Sequence, residues 1–177
     1  YHGSRGEKIT TSLELISRSR IPVEVVRIQA PALAWDTTFT GVLKPDQRLN
    51  IKSQPVVGSN EKFSAPYWLR EPHDQGRFIV EDPSWIGLPE NPAAVKFRFH
   101  VMVAGEAMEF TRPLMYKWTD RVKGELWRPF EIVPPVFVNL SDNVVVFNVE
   151  QPKEIRVLIT SSIAKATSGL LKASDLK

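Results

Sequence analysis

Nine residues, Val95 to Val103, alternate in a way that few folds accept: Val95, Phe97, Phe99, Val101 and Val103 fall on one side, and Lys96, Arg98 and His100 on the other. A period of two is the mark of a strand with one face in a core and one in water. Burying such a face contributes roughly 1.5–3 kcal/mol per large side chain before chain entropy is set against it. The rest of the chain must therefore supply partner strands and an apolar layer to cover this one. Ala104-Gly105-Glu106 turns the chain, and Met108 to Trp118 is expected to return beside it as the hairpin partner. Pro113 lacks a ladder donor, which predicts a bulge or an edge position there.

The remaining elements are short and separated by turn residues. Residues 1 to 8 read as a disordered lead-in or linker, and Ile9 to Ile16 alternates as a half-buried strand. After the polar turn Ser17–Arg20, Val23 to Ile28 resumes, and a hairpin of these two strands is the natural expectation. Residues 29 to 46 read as irregular, broken by Pro31, Gly41 and Pro45, with Trp35 and Phe39 pinning them to the core. Arg48 to Lys52 is a strand with Leu49 and Ile51 inward, and Arg77 to Val80 is a further candidate. The segment 81–94 is a long loop with three prolines. Asp120 to Glu125 is a charged turn, followed by strands near Phe130–Val133 and Val136–Leu140. Val144–Val149 and Ile155–Ser161 are expected to form a last hairpin.

No stretch keeps a 3.6-residue apolar period over three turns. Many short strands with little helix predict an all-β chain, an antiparallel β-sandwich of immunoglobulin-like kind. The best domain boundary is Pro134-Pro135, giving a sandwich over 1–135. Residues 136–177 are close to the ~40 below which a domain rarely folds unaided; they either complete that sandwich or open a second β domain cut short here, and the second reading is preferred.

Composition narrows the function. The 23 Lys and Arg are scattered among 20 Asp and Glu, whereas a nucleic-acid domain gathers its cations into a stripe. The absence of cysteine removes disulfides and thiolate metal sites. No apolar run approaches the ~20 residues of a membrane helix. A start at Tyr1, with no signal-peptide pattern, reads as a segment of a longer protein.

Residues with catalytic potential are sparse. His2, His73 and His100 lack companions at ligand spacing, while a catalytic zinc takes three protein ligands. Ser84 is in no Gly-x-Ser-x-Gly elbow, and no phosphate loop or dinucleotide fingerprint occurs. Asp120 and Glu125 form a conceivable glycosidase pair, but the turn around them, with Arg121 and Arg128 close by, favours solvated ion pairs. The catalytic reading is therefore none, and no metal ligand is assigned. Trp68, Trp85, Trp118 and Trp127 fall in or next to predicted loops, with Tyr67 beside the first. Such rings either stack on sugars or seal sandwich ends and domain contacts, and the packing reading takes precedence. Leu114, Tyr116 and Trp118 share one strand face, which predicts a core position for Tyr116.

The segments PYWLREP (66–72), IGLPENP (86–92), FTRPLMYKWTDRVKGELWRPFEIVPPVFVNL (110–140) and LISRSRIPVEV (15–25) carry a resemblance. They resemble the C-terminal β-sandwich region of bacterial multidomain proteins that begin with a PIG-L/LmbE-type zinc-dependent N-deacetylase domain. The resemblance concentrates in residues 64 to 140. That family's catalytic domain holds zinc through a Pro-His-Pro-Asp-Asp segment and a later His-x-x-His; Pro72-His73-Asp74 does not match, and no catalytic residue carries over. The resemblance implies a parent enzyme that deacetylates N-acetyl sugars, with zinc confined to a domain outside this chain, in the periplasm or outside the cell. It implies for this chain a non-enzymatic accessory role, with the catalytic domain as partner. The alternative is a module that binds glycan itself through Trp68, Trp85, Trp118, Trp127 and Tyr67.

Overall fold

A computed structural model describes residues 2–142, 144–146, 153–163 and 168–170. The chain is all-β, with strands joined by loops and three single-turn 3₁₀ segments among the described residues. It divides into two compact units, Tyr1–Val133 and Pro134–Lys177.

The first unit is built on a four-stranded antiparallel sheet in the order β4-β3-β6-β7. Its members are β3 (Val23–Ala30), β4 (Trp35–Leu43), β6 (Lys96–Val103) and β7 (Glu106–Pro113). The alternating segment is β6, paired on both sides, with Val95, Phe97 and Val101 buried. Ala104 and Gly105 both take left-handed backbone, φ 51° and 88°. That two-residue turn matches the strand twist and brings Glu106 opposite Val103. β7 is the sheet's edge, so the missing N–H of Pro113 costs no central ladder bond.

A separate antiparallel ribbon, β2 (Thr11–Ile16) with β5 (Arg48–Ser53), forms the second layer. Leu13 of the ribbon shares one buried core with Val25, Ile28, Ala30, Leu43, Phe97 and Val101 of the sheet. Leu15, Leu49 and Ile51 pack against the same core. The inward residues Val25 and Ile28 stand three apart because the ladder skips a residue between Val25 and Arg27. That bulge keeps Arg27 out of the core and Ile28 in it.

Several expectations are corrected. The strands at 11–16 and 23–30 do not form a hairpin with each other: β2 pairs β5, and β3 pairs β4 and β6. The link between them changes layer, held where the Asp46 N–H donates to the Ser17 carbonyl. The supposedly irregular 29–46 holds β4, nine residues long, entered through a 3₁₀ turn at Pro31–Leu33 and a left-handed Ala34. Its proline and glycine signals hid the alternation of Trp35, Thr37, Phe39 and Leu43. Residues 77–80 form no strand, only a bridge from Arg77 to Asp74.

The lead-in is ordered. β1 (His2–Gly3) pairs in parallel with β10 (Glu131–Ile132), and Ser4 is buried. Gly3 permits this: a Cβ there would lie 2.9 Å from the Phe130 ring. The expected long strand Met108–Trp118 breaks at Leu114, whose N–H donates to the Val95 carbonyl. Beyond it β8 (Met115–Asp120) turns away to pair with β9 (Gly124–Pro129).

In the second unit β11 (Val136–Leu140) pairs antiparallel with β12 (Val157–Ser161). The expected partner for residues 155–161 was 144–149; residues 144–146 form no strand, and 147–149 lie outside the described residues. The Ser162 hydroxyl donates to the Pro134 carbonyl at 2.7 Å and its N–H to that of Pro135, closing the ribbon's end.

Candidate functional site

The aromatic residues singled out from the sequence separate into two places. Tyr67 and Trp68 open a 3₁₀ turn, Tyr67–Leu69, and Trp85 ends another, Pro83–Trp85. The first turn is held because the Asn91 side chain accepts from the Tyr67 N–H at 2.8 Å and donates to the Ala65 carbonyl at 2.8 Å. The second is capped by Asp82, whose carboxylate accepts from the Ser84 N–H at 2.9 Å. The Ser84 side chain, and after it this backbone bond, holds the Asp82 carboxyl below the ordinary carboxylate range. Ser84 is thus a turn residue in this structure.

Tyr67 is buried, its hydroxyl donating to the Leu88 carbonyl at 3.2 Å. Trp68 meets it edge-on, with centroids 4.8 Å apart and planes at 89°. Trp85 meets it at 6.5 Å and 71°. The three rings therefore present no common plane. Arg70 lies over the Trp85 ring at 5.3 Å, an arrangement in which the cation meets the negative face of the indole. Glu81 ties the region to its neighbours, facing Lys62 at 2.7 Å and Arg70 at 3.9 Å. The hydrogen bond from Lys62 holds the Glu81 carboxyl below its usual range. Trp85 and Arg70 also line a cleft of about 490 Å³ with Lys62, Phe63, Lys96 and Arg98.

The loops that hold this buried tyrosine also carry apolar side chains open to solvent. Leu69, Phe78, Ile79, Ile86 and Leu88 are exposed, Ile86 by 68%, and Trp68 by 37%. Sequence reasoning passed over these side chains because they fall between prolines and glycines, where no periodicity marks a face.

Trp118 and Trp127 belong elsewhere. They stand on the paired strands β8 and β9, Trp118 on a strand as expected and Trp127 on one where the sequence suggested a loop. Trp118 stacks on Tyr116 at 5.8 Å and 26°. Tyr116 is exposed rather than in the core, because β8 has left the sheet whose face it was expected to share. Trp127 is 54% exposed, with the Lys117 ammonium 4.8 Å over one face.

The candidate acid pair is committed to structure. Asp120 accepts from the N–H groups of Val122 and Lys123, each at 2.8 Å, and the bond from Lys123 leads in holding its carboxyl below the usual range. Glu125 pairs with Lys117. His73 lies on an exposed loop, its Nδ1 3.4 Å from the Asp74 carbonyl oxygen and its ring 5.0 Å from Phe78. Among the described residues no three His, Cys, Asp or Glu side chains gather as a metal site. No helix among them is long and apolar enough to cross a membrane.

One polar network went unforeseen from the sequence. On the outer face of the sheet, Asp36 meets Arg27 and Gln29, Gln29 meets His100 at 2.8 Å, and His100 faces Glu109 at 3.6 Å. Its members lie on β4, β3, β6 and β7 in turn, so only the strand order reveals it. Compared with protein-family models, with curated proteins and with solved structures, the chain finds no match in any of the three.

Proposed function

We propose that this chain is a non-catalytic accessory β domain of immunoglobulin-like kind, which packs on and positions the catalytic domain of a PIG-L/LmbE-type N-acetyl-sugar deacetylase. The observation that carries the docking role is the exposed apolar set on the 67–88 loops: Trp68, Leu69, Phe78, Ile79, Ile86 and Leu88. A concentration of apolar side chains in water marks a surface that a partner covers. Tyr67 and Asn91 hold the turn carrying Trp68 and Leu69 and the loop at Leu88, so that part of the set is fixed in shape before any partner arrives. Preorganisation of that kind lowers the ordering cost of association.

The identity of the partner rests on the resemblance of residues 64–140 to that deacetylase family. Two antiparallel layers about one core support the immunoglobulin-like reading. Burial of Tyr67 and the Arg70 guanidinium over the Trp85 ring leave fewer open faces for stacking on a sugar, which favours docking.

The test titrates the chain into a zinc-loaded PIG-L/LmbE-type deacetylase domain from the same genome, by calorimetry. Saturable association is expected, weakened about tenfold or more by Ile86→Asp combined with Leu69→Asp, since each removes a desolvated apolar contact. Tryptophan emission should stay unchanged with millimolar N-acetylglucosamine oligomers. Absence of association, or an emission shift on adding the sugars, counts against the docking role.

A further inference from the structure

We propose that the cleft between β2 and β7 is the seat of a missing strand, and that it binds an extended peptide segment of a partner protein by strand addition. This proposal concerns a different face from the 67–88 loops and does not rest on the docking role given to them.

The two layers are unequal. Strands in a sheet lie ~4.8 Å apart, so four of them span roughly 14 Å between outer axes and two only roughly 5 Å. The β2–β5 ribbon therefore leaves about 10 Å of the facing sheet uncovered, the width of one or two strands. The bare part lies at β7. There Met108 and Phe110, which pair with the inward-facing Val101 and Phe99, are each 47% exposed. A groove of about 660 Å³ occupies the gap, with Phe97, Phe99, Val101 and Phe110 as its apolar floor and Trp127 among its lining.

The other wall is a backbone. Six successive residues, Ser12 to Ser17, line the groove, including those whose side chains point into the core and those whose side chains point out. Only a groove running along the strand's edge meets both sets. β2 pairs with β5 alone, and among the described residues no backbone bond outside that ladder reaches Ser12 to Ile16. A free edge beside an apolar floor asks for one kind of occupant: an extended chain whose amides continue the ladder and whose alternate side chains cover the floor. An acyl chain fills an apolar floor but leaves the amides unused.

Charge selects the peptide further. Arg112 lies opposite Phe97 in the β6–β7 register and lines the groove. Among the described residues its guanidinium donates to the neighbouring Thr111 carbonyl at 3.1 Å and faces no carboxylate. The groove's own acid, Glu14, is engaged by Arg48 at 3.5 Å. The peptide recognised thus carries apolar residues at alternate positions and a carboxylate at the end that meets Arg112.

The experiment selects a phage-displayed library of random 12-residue peptides on the whole chain, then measures binding of the enriched sequence as a synthetic peptide. Enriched sequences should show the alternating pattern with an acidic residue near one end, and should protect the amides of residues 12–16 from hydrogen exchange. Arg112→Glu should weaken binding about tenfold or more, the loss of one charge-assisted bond. Phe110→Asp should abolish it. Both positions are on an exposed edge strand, and circular dichroism confirms that each variant keeps the fold. The proposal fails if no sequence enriches, if both variants bind as well as the parent, or if protection appears away from β2. It also fails if oleate saturates the groove while peptides do not, or if the same amides become protected with protein concentration alone, which would make a second copy the occupant.

Discussion

Asp36 sits directly opposite Gln29 and diagonally from Arg27 across β3 and β4, and it accepts from both. Arg27 Nε reaches Oδ1 at 2.8 Å while its Nη2 donates to Oδ2, a two-point contact, and Gln29 Nε2 reaches Oδ2 at 3.0 Å. Such bidentate pairs are geometrically selective as well as attractive. The bond from Arg27, then that from Gln29, lowers the Asp36 carboxyl to about 2.

A depressed carboxyl pKa has a definite sign for stability. The unfolded chain's Asp titrates at ~3.9, so the contribution of Asp36 is complete above that pH and is lost as the pH falls towards 2. Asp36→Asn should therefore flatten the acid limb of a denaturation-midpoint profile between roughly pH 4 and 2. The carbon-detected titration of Asp36 gives the check. A midpoint near 4 for this group would contradict the contact.

The same pair orients a histidine. A carboxylate only accepts, so the Gln29 nitrogen must face Asp36 and its oxygen must face His100 Nε2. Neutral His100 is thereby required to carry its proton on Nε2. Nitrogen-15 shifts of the ring should report that tautomer, and Gln29→Glu should leave the Asp36 carboxylate beside a second acid and weaken the fold. Finding the Nδ1 tautomer would show that the amide is turned the other way.

Gly3 is predicted to resist substitution although it stands almost at the start of the described chain. A methyl group there meets the Phe130 ring at 2.9 Å and Ile9 at 3.2 Å, and Phe130 is itself buried. Gly3→Ala should cost about 1–3 kcal/mol in urea unfolding, the range for overpacking a filled site. A neutral result would mean that β1 lifts off β10 at little cost.

Ala104 offers the opposite case. It holds φ 51° in the β6–β7 turn, a region that a Cβ disfavours and that asparagine tolerates. Ala104→Asn should raise stability by up to about 1 kcal/mol with no change in the spectrum of the folded state. A loss of stability would mean that the methyl group makes a contact worth more than the strain.

Phe97 anchors the core, fully buried and edge-on to Trp35 at 5.5 Å. Phe97→Ala should cost about 3–5 kcal/mol and shift Trp35 emission to the red as water approaches the indole. An unshifted spectrum would place Trp35 outside this contact.

What the amino-acid order settled alone was local. Strict alternation made β6 a strand; Ala104-Gly105 made its turn, and through that turn β7 was placed beside it. The all-β character followed in the same way, since side-chain period is a property of neighbouring residues. Pairing beyond a turn was not legible. Whether β2 joins β3 or β5 depends on which face each strand buries once two layers form, and both choices satisfy the same alternation. β4 was hidden because Pro31 and Gly41 act as breakers in isolation, yet in the fold a 3₁₀ turn uses the first and the sheet accommodates the second. Tryptophans could be counted from the sequence, but their company could not. The turn carrying Tyr67 and Trp68 is held where Asn91 accepts from it and the turn ending at Trp85 where Asp82 does, while Trp118 and Trp127 ride a different hairpin. The Arg27–Asp36–Gln29–His100–Glu109 network and the open groove beside β2 belong wholly to tertiary structure. Each needs strands distant in sequence to lie at neighbouring positions, and only burial of the shared core decides that.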